Sequence, residues 1–389
     1  MRVVIVGGGA VGSSAAYHLA SDPGFKGSIT VIERDPTYRI ASSSLSCASI
    51  RQQFSTPVNV AMSRYGFSFL ERAHELLAVN GEAAEVGLKR QGYLFLAGED
   101  GIEALRHVHG VQMAAGADVA LLGPGEIKAR YPYMNVDDVA GGTLGMSNEG
   151  WFDGPGLLAA YRRKARALGV TYVAQDAVGF RRDGERVSGV VLGDGSVVDC
   201  DVAVNAGGPW SAVVAGWLGI DLPVRPRKRM VYVFRIPGEL PGFPMLIDNS
   251  GNFLRPEGPG YICGRSPGEG EEDPDEPPLE MDDAMFEERV WPELAHRVPV
   301  LETLKLTGGW AGYYELNLWD FNGFIGAHPA CSNVIFATGF SGHGMQHSPA
   351  SGRGVAELIA HGGFRTLDLS PLATARLLEG RKLLELGIV

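Results

Sequence analysis

Apolar positions near the start of the chain fall into two short unbroken runs, Arg2–Val6 and Ile29–Ile32, with glycines and an Ala-rich stretch between them. β-Branched runs of that length predict buried parallel strands, and the stretch between them predicts a helix. Farther on the period changes. After Thr56-Pro57, the residues Val58, Met62, Tyr65, Phe69, Ala73 and Leu76 recur at helical spacing, with Thr56 as the expected N-cap and Pro57 in the first turn. A short buried strand is expected at 92–98, a helix over Ile102–Ala117, then a Gly/Pro-rich passage through Pro124 and Pro132, and a helix between Gly156 and Gly169. Alternating strands follow, broken at Asp183-Gly184 and Asp194-Gly195, which predicts a three-stranded meander that returns to a buried strand at Val202–Asn205. Further strands are expected at 230–236, 252–256 and 260–264, and a helix over Ala284–His296. The acidic, Pro-rich segment 266–283 reads as a solvated loop. The stretch 333–362 repeats the opening pattern of strand, glycine-rich loop and helix.

With 389 residues, 45% of them hydrophobic, the chain is expected to divide into two domains, since single cores stop growing near about 250–300 residues. Its net charge of −11, from 34 basic and 45 acidic residues without basic clusters, lacks the footprint of nucleic-acid binding. Cys47, Cys200, Cys263 and Cys331 are scattered, which argues against a zinc site or a disulfide framework and favours a reducing compartment. His107 and His109 have no third ligand nearby, so no metal is expected. The first strand begins at residue 2, leaving no room for a leader peptide, and no uncharged apolar run reaches the ~18 residues of a membrane helix. A cytoplasmic protein without a membrane span is the expectation.

The first strand runs directly into Gly7-x-Gly9-x-x-Gly12, and Glu33 closes the second strand about 20 residues on. In this motif Gly7 permits the tight turn, Gly9 lets the backbone approach a pyrophosphate, and Gly12 lets the helix pack closely on the strand. The helix N-terminus offers N–H groups to the anion, and Glu33 accepts hydrogen bonds from a ribose. Gly339, Gly342 and Gly344 in the C-terminal repeat mark a second place of close backbone approach. One dinucleotide is thus expected to touch both ends of the chain. A reduced flavin, negatively charged at its N1 and O2 region, suits the positive end of the second helix. An NAD(P)-dependent dehydrogenase shares the first motif but has no use for the second loop.

These residues, with the stretches ASSSLSCASIRQQFS, GYLFLA, NEGWFDGPGLLAAYRRKARALG, VNAGGPWS, GWAGYYELNLWDFNGFIG and ATGFSGHGMQHSPASGRGVAELI, resemble the D-amino-acid oxidase and sarcosine oxidase superfamily of FAD-dependent amine oxidoreductases. The resemblance covers nearly the whole chain. It implies an α/β fold: a Rossmann-type, glutathione-reductase-2-like FAD domain (1–85, 146–215 and 306–389) and an α+β substrate domain on a mostly antiparallel sheet (86–145 and 216–305). It further implies that Gly7, Gly9, Ala10, Val11 and Gly12 hold the pyrophosphate, Glu33 and Arg34 the adenosine, Ser42 and Ser43 the phosphate side, and Val178, through its backbone, the adenine edge. Ala206, Gly207 and Trp210 pack beside them, and Gly312, Gly339, Ser341, Gly342, His343, Gly344, Met345 and Gln346 surround the flavin.

Arg51 stands where related sarcosine oxidases hold the substrate carboxylate, with a structural ion-pair role as the alternative. Gln346 replaces a second carboxylate-binding Lys, so the substrate acid is held differently. His343 is either a flavin contact or a base, with the contact role favoured; Tyr313 and Tyr314 either close the active site or orient a carboxylate by hydroxyl donation, with simple aromatic packing as the alternative for each. Where some relatives attach flavin covalently, this chain has Ala311-Gly312 and a run of serines, so FAD is expected to bind noncovalently. GRS at 264–266 offers Arg265 and no Lys to promote reaction with oxygen, which leans toward a dehydrogenase. The implied substrate is a small amine or amino acid, with hydride transfer to flavin N5. SIRQQFS and GYYELNLWDFNG look most like a branch that includes a mitochondrial flavoprotein linked to respiratory-complex assembly. A flavin-binding assembly or electron-transfer subunit, with a partner subunit or protein electron acceptor, is therefore the second reading.

Overall fold

The computed structural model describes residues 1–268 and 270–387. The two β-branched runs form the centre of a six-stranded sheet, in which Arg2–Val6 pairs in parallel with Ser28–Glu33 on one side and Val202–Asn205 on the other. Thr171–Ala174 extends the first side; Cys331–Thr338 and the antiparallel Phe324–His328 extend the second. The chain thus moves outward from its first strand and later returns to the opposite side of it. That reversal opens a crevice at the carboxyl ends of the strands, the place where ligands bind in sheets of this kind.

Two helices cover one face. Ala10–Ser21 follows the glycine turn, and Gly344–His361 crosses it closely; a Cβ on Gly352 would lie 2.2 Å from Ser14 Oγ. The meander occurs as expected, Ala177–Asp183, Arg186–Leu192 and Val197–Asp199 pairing antiparallel.

The second domain is an eight-stranded sheet, antiparallel except where Tyr93–Ala97 pairs with Met245–Ile247. Its edge strand, Lys305–Asn317, pairs along nearly its whole length with Val224–Arg235. This strand, expected on the nucleotide side from residue 306, therefore belongs to the second sheet and carries Tyr313 and Tyr314 over to the crevice.

The helix after Pro57 breaks at Arg72, giving Pro57–Glu71 and Ala73–Leu76. Thr56 sits at its N-cap position without capping it, because its hydroxyl donates to Glu385 instead. The acidic segment is a largely exposed loop in its described part, as expected, but several of its carboxylates are paired. Asp273 pairs with Arg229 at 2.9 Å and Asp275 with Arg227 at 2.8 Å, while Glu276 accepts from Trp210 Nε1 at 2.8 Å. Its carboxylates meet the alternate basic residues of the Val224–Arg235 strand, a pairing that composition alone does not reveal. Residue 269 lies outside the described residues. Among the described residues no helix is long and apolar enough to cross a membrane.

Candidate active site: a dinucleotide crevice and a cavity behind it

A cavity of about 280 Å³ runs along the carboxyl ends of the parallel strands and is lined by Val6, Ile32, Glu33, Ala206 and Ala337. At one end the walls are Gly7, Gly9, Ala10, Val11, Arg34, Ser42 and Ser43. Gly7 has φ +97°, and a Cβ there would lie 2.2 Å from the Ala206 carbonyl oxygen; only glycine fits. Gly12 lies behind the wall, where a Cβ would meet the Gly7 carbonyl at 2.0 Å, so its task is the close fit of helix to strand. The Glu33 carboxylate accepts from the Gly8 N–H at 2.8 Å, and Ser43 Oγ accepts from the Ala10 N–H at the helix start at 2.9 Å. Arg34 lies 3.6 Å above the Trp210 ring, and Gly207 and Trp210 form the facing wall.

The same cavity reaches Gly312, Tyr313, Tyr314, Glu315, Gly342, Gly344 and Met345. Both glycine loops, and the N-termini of both covering helices, therefore border one space. Gly342 has φ +89°, and a Cβ there would strike the Tyr314 ring at 2.5 Å. Gly339 and Ser341 stand one layer back: the Gly339 N–H donates to Glu315 at 3.0 Å, and Ser341 Oγ accepts from the Asn317 N–H at 3.0 Å. They shape the loop instead of lining it. Val178 itself is 51% exposed, and the crevice wall next to it is made by the preceding Gln175, Asp176 and Ala177, where Thr171–Ala174 ends.

Behind the second loop lies a smaller cavity of about 50 Å³, bordered by Arg51, Tyr93, Met245, Phe253, Tyr314, His343 and Gln346. Arg51 is 2% exposed. Its guanidinium donates to the carbonyls of Gln53 and Gly387 and stacks 3.9 Å over Phe54. Among the described residues no carboxylate lies within ion-pair distance of it. Its backbone N–H donates to Gln346 Oε1 at 3.0 Å, so Gln346, in the first turn of the Gly344–His361 helix, ties that helix to the segment around Arg51. His343 Nε2 lies 3.4 Å from Arg51 Nη2. Burial, with the Arg51 charge beside it, holds the imidazole well below its ordinary pKa, which makes it neutral and a weak base. The two tyrosines part company: Tyr314 borders both cavities, whereas the Tyr313 hydroxyl turns outward to donate to the Pro277 carbonyl at 2.6 Å.

Several residues here were not singled out from the sequence. Tyr93, Met245 and Phe253 read as ordinary strand core, and only the pairing of distant strands shows that they face a cavity. Glu149 is fully buried and accepts from the Gln52 N–H at 2.7 Å and from Gln53 Nε2 at 2.9 Å. Burial pushes its pKa up to about 7, with the Gln52 and Gln53 donors pulling the other way. Burial likewise raises Glu315 to about 7. The signal for Glu315 was its place directly after the two tyrosines. Among the described residues no group of His, Cys, Asp and Glu is arranged to hold a metal ion.

The glycine cradle, the helix N-termini and the carboxylate of Glu33 at the cavity wall fit a dinucleotide, and the reach of the crevice to the second loop fits a flavin at its far end. Fold and crevice thus define a dinucleotide-binding oxidoreductase of the flavin type. A family model described as FAD dependent oxidoreductase matches residues 2–358, and the chain belongs to that family. It is 45% identical to FAD-dependent oxidoreductase domain-containing protein 1 of Xenopus laevis, over 100% of this chain and 84% of that protein. It is 27% identical to mitochondrial sarcosine dehydrogenase of Homo sapiens, over 93% of this chain and 40% of that protein. Among solved structures, L-proline dehydrogenase from P. horikoshii superposes with TM-score 0.86 at 26% identity, covering 98% of each chain. FAD is the cofactor, and amino-acid-like amines are the substrates of the family.

Proposed function

We propose that the protein is an FAD-dependent dehydrogenase that oxidises the C–N bond of a secondary-amine amino acid, N-methylated or cyclic, to an imine that water then hydrolyses. The observation that carries this reading is Arg51: a buried guanidinium at the wall of a small cavity, held by neutral carbonyls. A buried cation with no carboxylate at ion-pair distance among the described residues is costly, so a carboxylate entering that cavity gains a charge-assisted, bidentate pairing. Tyr93, Met245, Phe253 and Tyr314 supply apolar walls that exclude water and limit the substrate to a compact one.

Held by its acid, the substrate gives up the α-hydrogen as hydride while the nitrogen lone pair forms the C=N bond and its proton leaves. Bound FAD supplies the hydride acceptor. The neutral, weakly basic His343 suits an amine that arrives uncharged and needs no strong base. The kinship to proteins named for sarcosine and L-proline, both secondary amines, supports the substrate class. No Lys lines either cavity among the described residues, and Arg265 is taken up by Glu271 and Glu293, which favours an acceptor other than oxygen.

An anaerobic screen of the holoprotein tests this. N-methyl or cyclic amino acids should bleach the flavin, the matching amines without a carboxylate should not, and the reduced protein should reoxidise slowly in air but quickly with an artificial acceptor. Bleaching that ignores the carboxylate overturns the reading. Flavin that stays oxidised with every amino acid favours an electron-transfer or assembly subunit.

A further inference from the structure

The last described segment, Arg381–Gly387, forms neither helix nor strand, yet it is tied down along its length. The Leu383 N–H donates to Asp320 Oδ2 at 3.0 Å, the Leu383 carbonyl accepts from Asn322 Nδ2 at 2.7 Å, and the Leu386 N–H donates to Ser55 Oγ at 2.8 Å. The pattern of burial is the reverse of an apolar anchor. Leu384 and Leu386 are 49% and 60% exposed, while Glu385 between them is fully buried.

A carboxylate taken out of water must be matched by donors, and Glu385 is. Oε1 accepts from the Ser55 N–H and Oγ, both at 2.7 Å, and from the Gly387 N–H at 3.0 Å; Oε2 accepts from Thr56 Oγ1 at 2.8 Å and Asn59 Nδ2 at 2.9 Å. These groups lie immediately after Arg51 in the chain and at the start of the Pro57–Glu71 helix. Through Gly387 the same segment sets a carbonyl on Arg51 Nη2, opposite the Gln53 carbonyl on Nη1.

We propose that Glu385 is a positioning residue: by clamping Ser55, Thr56 and Asn59 to the C-terminal segment, it fixes the Gly387 carbonyl on Arg51 and so aims the guanidinium into the small cavity. The segment's hydrogen bond to Arg51 comes from a neutral carbonyl, which orients the cation without forming an ion pair with it. The inference rests on the reading of Arg51 as the carboxylate anchor.

The test uses the FAD-loaded protein, titrated with cyclopentanecarboxylate and followed by flavin absorbance, beside KM and kcat for whichever N-methyl or cyclic amino acid bleaches it. Glu385→Ala should raise both Kd and KM about tenfold, since small misplacements of an anchoring group are costly, with kcat and FAD content near wild type. Glu385→Gln should fall between, and Ser55→Ala, a milder lesion of the same clamp, should weaken binding in the same direction if Glu385→Ala does not fold. Arg51→Ala should raise Kd and KM about a hundredfold, and adding Glu385→Ala to it should cost nothing more. Wild-type Kd and KM in Glu385→Ala and Ser55→Ala, with Arg51→Ala still defective, overturn the inference and leave the Arg51 reading intact. So does an additive loss in the double variant. Wild-type binding by Arg51→Ala overturns the reading itself.

Discussion

At the nucleotide end, the crevice is made of backbone: Gly7, Gly9 and Ala10 present main-chain groups, and their places are set by close approaches to the Ala206 carbonyl and to Ser43. The small cavity at the other end is made of side chains brought from Arg51, Tyr93, Met245, Phe253, Tyr314 and Gln346, on strands and loops of both domains. The first kind of site tolerates almost no added atom, because a backbone carbonyl cannot move aside. The second tolerates change in most walls but depends on the aim of one cation. The difference bears on the proposed function: a backbone cradle of this kind suits any dinucleotide, whereas, on the reading of Arg51 as the carboxylate anchor, the arrangement around it would select the small molecule that is oxidised.

The largest effect should come from the backbone end. Gly7→Ala puts a methyl group 2.2 Å from the Ala206 oxygen at a positive φ, and the protein should purify without flavin, its FAD affinity reduced about a hundredfold or more. Full FAD content after denaturing release would break the contrast. Next, Arg51→Ala should keep FAD but raise KM about a hundredfold, as expected when one partner of a buried charge pair is removed. Loss of flavin in this variant would mean that the two ends are not separable.

The third effect concerns pH. Glu149 is raised from 4.5 to about 7 in the folded protein, so between those values the folded state keeps a proton that the unfolded chain releases. Its contribution to stability is therefore present below pH 4.5 and lost as pH rises through about 7, by up to about 3 kcal/mol. Thermal unfolding of Glu149→Gln should show a shallower fall in stability from pH 5 to 8 than wild type. An unchanged slope would place the ionised form of Glu149 in balance with the Arg51 charge. Smallest is Tyr313→Phe. Its hydroxyl serves the Pro277 carbonyl, so KM should move less than about threefold; a larger rise would return Tyr313 to the substrate.

The strands Arg2–Val6 and Val202–Asn205, the first glycine turn, both meander hairpins and the second glycine loop were legible because each is a local demand. A left-handed φ asks for glycine, a buried parallel strand asks for a β-branched run, and the asking and the answering residues are neighbours in the chain. The kinship of the long stretches to a known family extended that legibility to Arg51 and Gln346. What stayed hidden shares a different property. The contact of Arg51 with Gln346 spans 295 residues, and that of Ser55 with Glu385 spans 330.

Sequence alone therefore determined the glycine turns that border the crevice, since hydrogen-bonding backbone and steric permission are written within a few residues. Tertiary structure alone decided that the Lys305–Asn317 strand joins the second sheet, that the acidic segment pairs with Arg227 and Arg229, and that Tyr314 borders both cavities while Tyr313 borders the larger one alone. It also decided that Glu385 is buried between two exposed leucines. The reason is physical: the energy of a buried charge depends on what surrounds it in space, and no period or spacing along the chain carries that information.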